Sequence, residues 1–302
     1  MSATKFICPS GKVVGVKQCL AECLEAKRCM FLPTLRSIAK SLDRKLDTPT
    51  VTELIRGTRE SYLCKTQSYA VSPQDVIFSQ FGTAIHSTLA QHGEGDMLSE
   101  ERIKDDITSG QLDLYGSIYD RSNDTLGDFK VTSSYKLAKA LGIYKVDVFT
   151  GEYFKSGLRK GLPRMRKELR YDGAKDVYEW ALQLNYYRIL LESQGFHVGH
   201  MFIQVFCRDY GLQIARDRGI TQPVYVIPIN KISDHWIKLY FATKAQRLQE
   251  ALKTKQLPPQ CTMRENWGYR KCESYCAVAD FCPLGQAIKA SKAEDKNNKK
   301  SA

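Results

Sequence analysis

No stretch of this sequence approaches the ~18 consecutive apolar residues of a membrane-spanning helix. The opening MSATKFICPSGK also lacks the apolar run and small-residue cleavage site of a secretory signal. Both absences predict a soluble, cytoplasmic chain with no membrane partner. The composition is not that of a disordered chain either. Of the 302 residues 43% are hydrophobic, enough to bury a substantial core in one large or two moderate domains.

What the chain does have is cysteine. Eight of its ten cysteines fall in two groups, CPSGKVVGVKQCLAECLEAKRC (Cys8, Cys19, Cys23, Cys29) and CTMRENWGYRKCESYCAVADFC (Cys261, Cys272, Cys276, Cys282). In both, ten, three and five residues separate successive cysteines, although little else is shared. In a reducing compartment such clusters read as metal ligands before disulfides. Four thiolates suit tetrahedral zinc as well as an iron–sulfur cluster. Local chelation closes only short loops, whereas pooling ligands across the termini requires a closure spanning most of the chain. Two self-contained sites are therefore expected, with a mixed site as the alternative. Cys64 in ESYLCKT and Cys207 in FIQVFCRDY stand singly among apolar residues and read as small buried side chains. His197 and His200, in HVGH, are a weaker metal candidate; a loop-to-strand junction is the simpler reading.

A net charge of +12 points to a polyanionic partner. It is concentrated in KSGLRKGLPRMRKELR, where Lys155, Arg159, Lys160, Arg164, Arg166, Lys167 and Arg170 are interrupted by Gly157, Gly161 and Pro163. This reads as a mobile basic loop suited to DNA backbone contact, against the plainer reading of a solvated loop.

Along the chain, PTLRSIAKSL and VTELIRGTRESYL have helical character, as does SQFGTAIHSTLAQH. ITSGQLDLYGSIYDRSNDTLGDFKVTSS holds two β-rich runs around a turn at Arg-Ser-Asn-Asp. DVYEWALQLNYYRILLESQG reads as an amphipathic helix closed by Gly195, MFIQVFC and PVYVIPI as strands, and WIKLYFATKAQRLQEALKTK as a final helix ending before Pro258. The expected organisation is an N-terminal four-cysteine module (1–32), one mixed α/β domain with a helical start (33–260), a C-terminal four-cysteine module (261–290) and a disordered basic tail (291–302).

Within the β-rich runs, GQLDLYG places Asp113 between apolar neighbours, and DFK places Asp128 and Lys130 on one face of the next strand. Hairpin pairing would bring Asp113 beside them. Burying such charges is costly unless they are paired or bind a cation, so Mg2+ or Mn2+ suits the oxygen ligands.

Helix GTAIH, strand GQLDLYG, strand DFK and helix QLNYY, in that order, resemble the motifs of PD-(D/E)XK nucleases, the RecB-type branch most of all. The resemblance implies a restriction-endonuclease-like core, a mixed sheet flanked by helices. It further implies a divalent metal held by His86, Asp113, Asp128 and the Phe129 carbonyl, and Lys130 positioning or activating water. Gln183 and Tyr187 match the family's Q-x-x-x-Y helix and would support the site and contact DNA. Leu112 stands where the nominal proline would be. Glu100 or Glu101 stands where this branch often has an acidic residue, and the sequence does not choose between them. A subset of the branch, including AddB and the CRISPR-associated exonucleases, ends in a cysteine trio holding a [4Fe-4S] cluster, here matched by Cys272, Cys276 and Cys282. The first gap of three residues, the local Cys261 and the full N-terminal set depart from that pattern. The resemblance favours [4Fe-4S] over Zn2+ at the C-terminal site; at the N-terminal site Zn2+ is the simpler expectation.

The expected function is a metal-dependent DNA nuclease, an exonuclease, working with recombination or repair proteins. The alternatives are a non-catalytic, zinc-stabilised nucleic-acid-binding protein, in which Asp113 and Lys130 form a structural ion pair, and a structure-specific endonuclease.

Overall fold

A computed structural model describes residues 3–25, 27–42, 48–93, 95, 97–119 and 124–298. In chain order the elements of the first third are β1 (Ala3–Ile7), β2 (Val13–Gly15), α1 (Val16–Ala21), α2 (Leu32–Leu42), α3 (Val51–Ile55), α4 (Thr58–Thr66), β3 (Tyr69–Val71) and α5 (Pro73–Ala90). Next come β4 (Leu98–Ser99), β5 (Arg102–Lys104), β6 (Ser109–Gln111), β7 (Leu114–Gly116), β8 (Thr125–Thr132), α6 (Ser134–Ala140), β9 (Ile143–Tyr153) and β10 (Pro163–Tyr171). The chain continues through α7 (Tyr178–Ser193), β11 (His200–Cys207), α8 (Gln213–Arg216), β12 (Val224–Pro228), α9 (Asp234–Thr254), α10 (Arg270–Ser274) and α11 (Pro283–Asn298). The class is mixed α/β, as composition and periodicity suggest. No described helix is long and apolar enough to cross a membrane.

Instead of one domain bracketed by modules, the chain forms two compact units. The first comprises residues 1–88, 102–111 and 233–302, so both cysteine groups belong to it. It opens with two strands, ahead of α2, α3 and α4, which cover the stretches expected to be helical. β1 pairs antiparallel with β2 and parallel with β3, and Phe6 and Val14 enter a small core with Cys19, Leu35 and Ile38. α3 begins with a capping box: Thr50 Oγ1 accepts from the Glu53 amide at 3.1 Å while the Glu53 carboxylate receives the Thr50 amide at 3.4 Å. α3 and α4 pack on α9, the long helix expected before Pro258. α11 runs through Asn298, so residues 291–298 extend a helix and are not the disordered tail that their composition suggests. Pro283 at its first position and the run of Ala, Lys and Glu favour the helix. Residues 299–302 lie outside the described residues.

The second unit comprises residues 89–101 and 112–232 and is built on a five-stranded sheet of order β12-β11-β8-β7-β4. β11 and β8 are parallel, paired without a register shift from His200↔Thr125 to Cys207↔Thr132, and the other pairings are antiparallel. Leu126, Ile203 and Val205 fill its centre and are fully buried. The expected pairing of the two β-rich runs is present as Leu114↔Gly127 to Gly116↔Thr125; of its Arg-Ser-Asn-Asp turn only Asp124 lies within the described residues. α7 follows the expected span and lies against β8. It is buried around most of its circumference, not amphipathic. Its polar residues therefore need partners inside the protein. Asn185 donates to the Ala181 and Asn230 carbonyls, and Arg188 pairs with Glu192.

The basic segment is a loop only in its first half; from Pro163 it is strand. β9 and β10 form a separate two-stranded antiparallel ribbon, with Arg164, Arg166, Lys167 and Arg170 on β10 and Lys155, Arg159 and Lys160 in the connection. Cross-strand hydrogen bonding, invisible in a basic Gly/Pro-containing composition, makes the β10 residues strand.

Candidate functional site

Because β8 has partners on both edges, the polar residues of its DFK motif sit inside the sheet. Asp128 is 1% exposed, and a buried carboxylate needs partners. Gln183 Nε2 donates to its Oδ1 at 2.9 Å, and the Lys130 ammonium forms an ion pair with Oδ2. Lys130 is two residues along the strand and so on the same face. Gln183 also donates to Tyr187 Oη, one helical turn further on, at 3.4 Å. The Q-x-x-x-Y signature on α7 thus meets the second acid of the D-x-K strand.

Asp113, buried between β6 and β7, accepts from the Phe129 amide through Oδ2 at 2.7 Å, which ties the first acid to the middle of β8. Lys130 therefore pairs with Asp128, not with Asp113. The choice between the two glutamates is made by the backbone. Glu100 adopts a left-handed conformation (φ 54°), and its amide donates to the Asp113 carbonyl at 3.1 Å. A carboxylate oxygen of Glu100 lies within 4.8 Å of one of Asp113. Glu101 is exposed, and its carbonyl accepts from the Leu112 amide. Nothing in LSEERI marks one glutamate over the other, since a positive φ at a non-glycine residue is decided by the tertiary contacts. Crowded carboxylates repel unless a proton or cation intervenes, and carboxylate oxygens fit a hard divalent ion. His86 lies half-buried on α5, in the first unit. The HVGH histidines go to different partners: His197 Nδ1 is 3.0 Å from Asp124, and His200 stacks on Phe202.

Both cysteine sets sit in the first unit. In the N-terminal set Cys19 is buried in the small core and Cys8 and Cys29 pack against it. Burial raises the Cys8 and Cys19 thiols above their ordinary range, and the charges of the other N-terminal thiols raise them further. The C-terminal set is seated on α4. Arg59 reaches Cys282 Sγ at 3.8 Å and the Pro258 carbonyl at 2.7 Å, and the largely buried Glu60–Lys271 ion pair closes at 2.5 Å. Lys244 joins Glu265 and the Arg56 carbonyl beside it. Burial raises the Cys261 and Cys272 thiols, with Glu60 adding to it, and pushes Cys276 up to about 12. Cys272 also feels Cys282. Cys64, one turn after Glu60 on α4, acts on Cys276, a proximity its isolated place in the sequence does not reveal.

Gly57, the residue before α4, lies flat against Cys261. A Cβ there would fall well inside van der Waals contact with Sγ and at 3.0 Å from Cys261 Cβ. Gly57→Ala is therefore expected to destabilise the protein by ~1–3 kcal/mol through overpacking, read as a lowered midpoint in urea denaturation. An unchanged midpoint would mean that α4 does not hold Cys261 in this position.

On the basic ribbon, Arg164 pairs with Glu152 at 3.0 Å, and Arg166 and Arg170 share Glu168. Lys155, Arg159, Lys160 and Lys167 form no ion pair among the described residues. The basic residues that composition groups together are thus divided into a self-neutralised set and an available one.

No family model matches the sequence, and no curated protein does. A solved structure described as "Crystal structure of SSO0001" is similar at 17% sequence identity and a TM-score of 0.41, over 83% of this chain and 94% of that one.

Proposed function

We propose that this protein is a metal-dependent deoxyribonuclease of the RecB-type PD-(D/E)XK class, acting as an exonuclease on linear DNA in a recombination or repair setting. The observation that carries the reading is the linkage of Asp113, the Phe129 amide, Asp128, Lys130 and Gln183 through one strand, its neighbour and the helix behind it. A structural ion pair alone needs neither Gln183 nor the second acid.

A bound Mg2+ or Mn2+ would supply Lewis-acid stabilisation of charge growing on phosphorus and on the leaving oxygen. Asp113 and Asp128, with the Phe129 carbonyl and His86, are the residues proposed to hold it, and Glu100 adds a carboxylate beside Asp113. Gln183 fixes the Asp128 carboxylate through Oδ1, and Lys130 pairs with Oδ2. Lys130 orients the attacking water and offsets the carboxylate charge around it. Tyr187 holds Gln183 in place. The cysteine sets serve as scaffolds, the N-terminal one fitting zinc and the C-terminal one a [4Fe-4S] cluster or zinc. Thiolate is the form that ligates metal, and a bound cation would offset the burial that raises Cys8, Cys19, Cys261, Cys272 and Cys276.

The test is degradation of end-labelled linear DNA and closed circular DNA by purified protein with and without Mn2+. Metal-dependent loss of the linear substrate alone is expected. Cleavage of the circle would make it an endonuclease, and binding without cleavage of either would reduce it to a nucleic-acid-binding protein.

A further inference from the structure

The tip of the β9–β10 ribbon carries a feature that phosphate contact does not use. In a regular strand, residues four apart are about 13 Å distant. Here the pairing shifts between Tyr153↔Pro163 and Phe149↔Met165, with Gly151 at φ 83° inside the irregularity. The strand is folded so that Phe149 and Tyr153, four residues apart, meet with ring centroids at 5.3 Å in an edge-to-face pair. Both rings nonetheless remain 43% and 58% exposed. Register places Met165 across from Phe149 on the same face, with Lys167 two residues along β10. Leu158 in the connection is wholly exposed. An exposed apolar surface of this kind marks an interaction site, and between Ile143 and Tyr171 it is set among eight basic and only three acidic side chains.

We propose that this ribbon tip is a stacking platform for single-stranded DNA, with Phe149 and Tyr153 receiving unpaired bases and Lys155, Arg159, Lys160 and Lys167 tracking the phosphates. It deepens the nuclease reading and rests on it for the choice of DNA. The charge excess favours a polyanion over an apolar protein partner. The open rings favour single strands, because bases in a duplex are already stacked on one another. On this assignment the ribbon captures an unpaired end or flap and sets the polarity with which DNA approaches the carboxylates.

The experiment is fluorescence anisotropy of the full chain in EDTA, which prevents cleavage, with labelled oligo-dT and a duplex of equal length. Phe149→Ala/Tyr153→Ala is expected to weaken oligo-dT binding about tenfold or more, the size of a lost base–ring stack, while duplex binding changes less than about twofold and the salt slope stays as in the wild type. Phe149→Trp/Tyr153→Trp is expected to retain single-strand affinity, which separates a stacking role from a folding defect. Lys155→Ala/Arg159→Ala/Lys160→Ala is expected to weaken both ligands and to flatten the salt slope. Unchanged oligo-dT affinity in the alanine pair overturns the proposal and leaves the face to a protein partner. Equal loss on both ligands also overturns it. Wild-type cleavage with Mn2+ is measured alongside: selective loss of oligo-dT binding without any wild-type cleavage sustains the platform and sinks the nuclease reading alone.

Discussion

Asp128→Asn protein is expected to fold as the wild type does and to degrade linear DNA at least ~10²–10³-fold more slowly, the range seen when one preorganised electrostatic group is removed from a reacting phosphate or acyl centre. Asparagine is the informative substitution because Asp128 is 1% exposed and engaged on both oxygens. The amide keeps the acceptor that Gln183 Nε2 reaches, removes the charge shared with Lys130 and sets an N–H donor where Oδ2 stood, beside a lysine side chain that is partly exposed. Asp128→Ala should be equally inactive but also less stable by ~1–3 kcal/mol, since it strands a buried Gln183 amide. The same contrast holds for Asp113, whose Oδ2 receives the Phe129 amide. Rates on end-labelled DNA with Mn2+, beside urea denaturation midpoints, separate the two effects. An Asp128→Asn enzyme cutting at the wild-type rate would remove this carboxylate from the chemistry and the PD-(D/E)XK assignment of the site with it.

The second large effect concerns the metal centres. Anaerobically purified protein is expected to hold two centres, with Cys19→Ser losing only the N-terminal one and Cys261→Ser only the C-terminal one. The thiols whose charge raises Cys8 and Cys19 belong to the N-terminal set, and the thiol whose charge raises Cys272, beside Glu60, is Cys282 of the C-terminal set. Where a structural site folds with its metal, binding contributes on the order of 10–16 kcal/mol at neutral pH. Loss of a centre should therefore lower the denaturation midpoint sharply as well as the metal content. Broad visible absorption with about four irons marks a cubane cluster, and colourless zinc-bearing protein marks zinc thiolate. A Cys19→Ser variant that loses the same centre as Cys276→Ser, with Cys261→Ser losing none, would establish a pooled site.

Much of the framework was legible beforehand because it rests on local periodicity. Helices α7 and α9 and strands β8, β11 and β12 follow the expected spans, α5 covers the expected stretch but already starts at Pro73, and the alternation around DFK placed Asp128 and Lys130 on one face. Where sequence misled, the deciding interaction was not local. The basic segment has the composition of a solvated loop, and only pairing with β9 makes its second half, from Pro163, strand. The tail resembles disordered chain, yet residues through Asn298 continue α11. The apolar residues of α7 recur with helical period, which reads as one-sided, while its polar residues are buried and partnered.

By itself, then, the sequence determined the two cysteine rulers, the order of the helical and strand motifs, and the candidate acids with their lysine, since each depends on residue identity and short-range spacing. Tertiary structure alone decided that both cysteine groups belong to one unit, that α4 underlies the C-terminal set, that Glu100 and not Glu101 stands beside Asp113, and that a bulge at Gly151 brings two exposed rings together. These depend on contacts between residues distant in the chain, or on a backbone conformation imposed from outside the segment, and neither leaves a periodic trace in the residues themselves.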